Sequence, residues 1–163
     1  MDALEALRTR RSVRSYEPRP IDRADLETVI DAGRLAATAR NEQPWEFVVV
    51  TDRDKRMKLA ELAEYGKFIA DAPACVVVLC ANAKYYLEDG AAATQNILVA
   101  ARALGLGTCW VAGDKKPYAA EICRIVGAPA ECKLISLVAI GHARSIPDPP
   151  KRPLEEVLHW ERY

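Results

Sequence analysis

The run ACVVVLCA, residues 74–81, constrains this chain more than any other stretch. It is apolar at odd and even positions alike and is built round three consecutive valines, so a strand formed here must be covered on both faces. Such a strand lies centrally in a sheet, and helices close by in sequence have to supply the cover. Residues 87–104, LEDGAAATQNILVAARAL, predict the longest of them, rich in alanine and closed by Gly105. A second helix is signalled by Asp22 as N-cap after Pro20, with Leu26, Val29, Ile30 and Gly33 at i, i+3, i+4 and i+7, running to about Ala37. Further strands are expected at 46–51, 108–111 and 132–141. Further helices are expected at 2–9, from Asp52 to near Gly66, and at 117–126 before Gly127. The proline-rich RSIPDPPKRP then leads into LEEVLHWERY, a short helix or a tail.

About four strands separated by helices predict an α+β or α/β architecture with one sheet layer covered by helices. No repeat or linker divides the 163 residues, so a single domain over 1–163 is expected. Residues 145–163, proline-rich and tipped with aromatics, are expected to pack on a neighbouring subunit.

Charge excludes several classes. With 23 basic and 23 acidic residues there is no global field to attract nucleic acid or a membrane surface. No apolar run approaches the ~20 residues of a membrane span, and MDALEALRTRR lacks the apolar stretch of a signal peptide. Five cysteines without a CxxC pair suit reduced thiols, and two histidines make a zinc site improbable on spacing. A cytoplasmic protein without a metal is the expectation.

Against that neutral background, RTRRSVRSY (residues 8–16) gathers Arg8, Arg10, Arg11 and Arg14 around Ser12 with no acid among them. Cations at the end of a helix complement its macrodipole, which accounts for one or two of them. Four repel one another on adjacent turns, and a bound phosphate resolves that repulsion through guanidinium forks and the serine hydroxyl. No Walker motif is present, and Gly105-Leu-Gly107 follows a helix, so it reads as a helix stop and not as a dinucleotide fingerprint. In TARNEQPW, residues 38–45, Asn41 and Gln43 suit either the edge of a heterocycle or a plain turn, and Trp45 reads as core. Ala112 and Gly113 stand where backbone can approach a flat ligand. Gln95 and Asn96 fit a buried packing bond, and Glu88 and Asp89 read as first-turn acids of their helix.

Taken in order, RRSVRSY, NEQPW, DGAAATQNILVAARALGLGTCW and GHARSIPDPPKRPLEEV resemble the nitroreductase family of flavoproteins over nearly the whole chain. The resemblance implies a mixed β-sheet flanked by helices, in an intertwined homodimer with FMN at the interface. It implies that Arg10, Arg11 and Ser12 hold the FMN phosphate, that Arg14 reaches toward the ring, and that Arg152 closes from the C-terminal side. Thr38, Ala39 and Asn41 would come from the other subunit, although the family's Pro-Ser-Ser is absent here. Val111, Ala112 and Gly113 would present backbone to the ring. The implied activity is transfer of hydride from NAD(P)H through the flavin to a small-molecule acceptor such as a nitroaromatic or quinone, with no obligatory catalytic side chain. Other readings are reductive dehalogenation, a flavin-binding sensor or carrier without turnover, and a regulatory domain for a phosphorylated ligand.

Overall fold

The computed structural model describes residues 1–163. Helix α1 (Ala3–Thr9) and helix α2 (Arg23–Arg34) precede strand β1 (Trp45–Val50), helix α3 (Arg53–Leu62) and strand β2 (Ala74–Cys80). Helix α4 (Tyr86–Ala103), strand β3 (Gly107–Ala112), helix α5 (Ala119–Ile125) and strand β4 (Lys133–Gly141) complete the α+β fold. Short 3-10 turns occupy Ala39–Asn41, Lys67–Ala70 and Leu154–Glu156.

The sheet order is β1-β2-β4-β3, so the apolar run at 74–80 is internal as its composition requires. All three strand pairings are antiparallel. The expected mixed character enters only through a parallel bridge between Ser12 and Thr108 on the outer edge of β3. Cys75, Val77 and Leu79 face one core with Leu59, Ile69, Ile122 and Leu137, under α3 and α5. Val76, Val78 and Cys80 face the other with Val29, Ile97 and Leu98, under α2 and α4. Helices α2 and α4 come close because residue 33 is glycine: a Cβ there would sit 2.9 Å from Cγ1 of Ile97. Asn96 makes the packing bond expected of it, donating from Nδ2 to the carbonyl of Ala32 at 2.9 Å. Asp2 and Asp52 cap α1 and α3 through their side chains, whereas Asp22 occupies the N-cap of α2 without a side-chain bond.

Leu137 is fully buried at the centre of β4. Leu137→Ala is expected to cost about 2–5 kcal/mol through lost burial and the cavity left behind. A urea titration checks this, and a loss under about 1 kcal/mol contradicts the core assignment.

All five cysteines are free thiols. Burial pushes Cys75 and Cys80 from an ordinary value near 9.0 up to about 12. Between those values the unfolded chain has released these protons and the folded chain has not. Their contribution is therefore complete below about pH 9 and is lost as pH rises toward about 12. Stability is expected to fall across that window with a slope of up to about 1.4 kcal/mol per pH unit for each thiol. Denaturation midpoints measured across the window check it, and Cys75→Ala with Cys80→Ala should flatten the slope.

Candidate active site

Arg10 terminates α1 in an extended conformation, and the chain then runs beside the outer edge of β3. Val13 fixes this strap: its N–H donates to the carbonyl of Thr108 at 2.8 Å, and its buried side chain lies against Gly107. Tyr16 fixes the far end, its buried hydroxyl donating to the carbonyls of Val13 (2.6 Å) and Ala139 (3.3 Å). Burial pushes that phenol well above the ordinary tyrosine range. Arg144 reinforces the junction by donating from Nε to the carbonyl of Tyr16 at 2.9 Å.

The four arginines separate into distinct roles. Arg8, in the last turn of α1, is covered by the helix dipole. Arg11 donates from Nε and Nη2 to Oδ1 of Asp148 at 3.0 and 2.6 Å, and from Nη1 to the carbonyls of Arg8 and Arg10. Its guanidinium is thus committed to tying the strap to the C-terminal segment. Arg10 is different: its guanidinium makes no hydrogen bond or ion pair within the chain. Arg14 makes only a 3.5 Å contact to the carbonyl of Ser12 and lies over the Phe68 ring, 5.9 Å from its centroid. A further guanidinium, unmarked in the sequence, joins from α4. Arg102 donates from Nε to Thr9 Oγ1 at 2.9 Å and lines one crevice with Arg10, Arg11, Thr108 and Ile146. Ser12 sits within the same strap, in a parallel bridge with Thr108 on β3.

Further along β3, Val111 turns its side chain into the core and leaves only backbone for a ligand. Gly113 donates its N–H to the carbonyl of Ile135 at 3.0 Å. A Cβ on Gly113 would fall 2.5 Å from Cγ of Leu134, so the glycine serves the close approach of this turn to β4. Because Thr108 directs its carbonyl outward to Val13, strand alternation directs the backbone groups of Trp110 and Ala112 outward too. The carbonyl of Ala112 accepts from the Tyr118 hydroxyl, and its N–H faces the open edge about 13 Å along the strand from Thr108. A basic strap and an open run of backbone therefore share one edge of the sheet.

The loop with Thr38, Ala39 and Asn41 lies elsewhere. Thr38 Oγ1 donates to Asp89 Oδ2 at 2.8 Å, and Ala39 N–H donates to Oδ1 at 3.2 Å. Asp89 is in the first turn of α4 and Arg102 in its last, thirteen residues on, which is about 20 Å of helix. Within one chain these loop residues do not meet the arginines. Arg152 does not meet them either: it is exposed and donates to the side chain and carbonyl of Glu156 at 3.2 and 3.0 Å. Its segment, 145–163, is exposed along its length and presents Leu154, Val157, Leu158 and Trp160 to solvent.

A helix-flanked sheet with a basic strap beside open strand backbone on one edge defines an α+β fold. Comparison with known proteins makes the class specific. The model of the nitroreductase family matches residues 7–87 and 63–142. The chain is 36% identical over 155 residues to a protein of Archaeoglobus fulgidus, provisionally named an NADH dehydrogenase/NAD(P)H nitroreductase, covering 90% of this chain and 88% of that protein. It is 29% identical over 187 residues to an NAD(P)H-dependent FMN reductase of Bacillus subtilis, covering 99% of this chain and 74% of that one. The solved structure of a Bacteroides thetaiotaomicron protein, with the same provisional name as the Archaeoglobus one, superposes with a TM-score of 0.93 at 29% identity, covering 99% of this chain and 98% of that chain. The chain belongs to the nitroreductase family, and with it to the NAD(P)H-dependent flavin oxidoreductases.

Proposed function

We propose that the flavin is FMN and that the protein works as a homodimer, delivering reducing equivalents from NAD(P)H to a small-molecule acceptor such as a nitroaromatic or quinone. One observation carries this reading. Arg10 is a guanidinium without an internal partner, two positions before Ser12 on a strap that borders open strand backbone. That donor set fits a phosphate monoester, since guanidinium and hydroxyl both donate and no carboxylate is paired with Arg10 or Arg14. Arg10 and Ser12 are the phosphate ligands in this reading, and Arg14 adds positive charge toward the ring. Arg11 keeps the strap in place through Asp148. The outward backbone of Trp110 and Ala112, with Val111 and Gly113 holding its path, borders the ring. When bound, FMN supplies the two-electron relay between donor and acceptor. The protein's part is position and electrostatics, so no side chain is assigned as a catalytic acid or base.

The separation of about 20 Å along α4 supports a site shared between subunits. Thr38, Ala39 and Asn41 belong to the partner's contribution, and Arg152 arrives with the C-terminal segment. Residues 1–163 form one FMN-binding domain in this reading, and residues 145–163 cross to the partner. The outer edge of β1 and the groove it forms with the α2 region, where Ile21, Leu26, Ile30 and Val49 lie among Arg23, Glu27, Asp31 and Arg34, give that segment a surface to cover. The five free thiols support a cytoplasmic location, and no helix is long and apolar enough to cross a membrane.

Anaerobic addition of NADH or NADPH to the FMN-loaded protein tests the reading. Bleaching of the visible flavin band, restored by a nitroaromatic or a quinone, is the expected result. A band that neither nucleotide bleaches contradicts it.

A further inference from the structure

Asp89 has no role in the site as described, yet it is a carboxylate only 4% exposed and no cation pairs with it. Its hydrogen-bond partners from outside its own helix all come from one loop. Oδ2 accepts from Thr38 Oγ1 and Oδ1 from Ala39 N–H. Thr38 Oγ1 in turn accepts from the N–H of Gln43 at 3.1 Å. The carboxylate thus holds the start of the loop directly and its end through one hydroxyl. Between those points the backbone is unfavourable for L residues: φ is 53° at Arg40, 57° at Asn41 and 50° at Gln43. Within the loop, Arg40 pairs with Glu42 and Gln43 Nε2 donates to the carbonyl of Asn41 at 3.4 Å, while the bonds to Asp89 are what tie residues 38–43 to the rest of the chain.

We infer that Asp89 is a positioning residue for the flavin site of the partner subunit: it locks residues 38–43 into the shape that the other chain's cofactor meets. The inference rests on the FMN reading above. Both oxygens are needed, because an ionised carboxylate accepts on each, whereas an amide offers one acceptor and sets an NH₂ against a donor. Asp89 is buried behind the loop, so in this inference its influence runs through Thr38 and Ala39.

The test is FMN affinity, followed by fluorescence quenching, for the full-length dimer and its variants. Asp89→Asn and Thr38→Val are each expected to weaken binding about tenfold or more, each removing a hydrogen bond that the carboxylate organises. The double variant is expected to be little worse than either, because both changes break one network. Thr38→Ser keeps the hydroxyl and should restore most of what T38V loses, which a merely destabilising change would not do. Mixed dimers of a D89N chain with an Arg10→Ala chain should recover tight binding at one site of the two, because one site inherits both faults and the other neither. Wild-type protein that binds FMN while D89N, or T38V if D89N does not fold, binds as tightly overturns the inference. Mixed dimers that recover nothing overturn the placement across the interface. Wild-type protein that does not bind FMN sinks the FMN reading itself, an outcome distinct from both.

Discussion

Arg10→Ala is expected to weaken FMN binding about ten- to a hundredfold, the range for losing charge-assisted hydrogen bonds to a phosphate. The melting temperature of the flavin-free protein should barely move, because the Arg10 guanidinium makes no bond within the chain. Arg11→Ala is the instructive contrast. It removes the ties to Asp148 and to two carbonyls, so it loosens the strap and the C-terminal segment while leaving the unpaired guanidinium in place. The Arg11–Asp148 pair is itself worth little to stability, since the Asp148 side chain is 83% exposed. Isothermal titration with FMN separates the two variants. Arg10→Ala binding as tightly as wild type would remove the phosphate from this strap.

The second large effect concerns the C-terminal segment. A chain ending at Arg144 is expected to keep its far-ultraviolet circular dichroism, because residues 145–163 are exposed and contribute no strand or α-helix. It should nevertheless lose dimerisation and with it the retained flavin. The exposed side chains of Leu154, Val157, Leu158 and Trp160 would otherwise leave a sizeable apolar surface in water, which a stable soluble chain normally covers. Analytical ultracentrifugation of the truncated and full-length chains decides the matter. A truncated chain that sediments as a dimer and holds FMN contradicts the crossing of this segment.

The parts of the fold that depend on pattern were legible in the sequence. The run at 74–80 is apolar on both faces and is internal in the sheet, and the alanine-rich run at 86–103 is the longest helix, as both compositions require. Boundaries were less legible where a distant contact intervenes. Helix α2 was expected to reach about Ala37 and stops at Arg34, because the chain must turn there to bring Thr38 to Asp89. Helix α3 was expected to run near Gly66, but it ends at Leu62 and a separate turn carries Lys67–Ala70. In LEEVLHWERY only Leu154–Glu156 forms a turn, with no tertiary face within the chain to hold a longer helix.

The candidate site divides in the same way. Four arginines around a serine are visible as a cluster, but their division of labour is not. Arg11 is committed by an aspartate 137 positions away, and that pairing leaves Arg10 free. Asp89 looks like any first-turn acid, since its partners lie 51 and 50 residues upstream in a loop whose shape no local pattern announces. Arg102 and Tyr118 were hidden for the same reason. One reads as an ordinary helix-end cation and the other as an ordinary tyrosine until the sheet brings β3 beside them.

Whether this edge of β3 holds FMN in a dimer is tested by retention of the flavin through desalting. Purified full-length protein is mixed with FMN, desalted, and assayed together for flavin content and particle mass. Retained flavin absorbance at about one FMN per chain, in a particle of twice the chain's mass, is the expected result. A colourless protein that leaves its FMN on the column would contradict it.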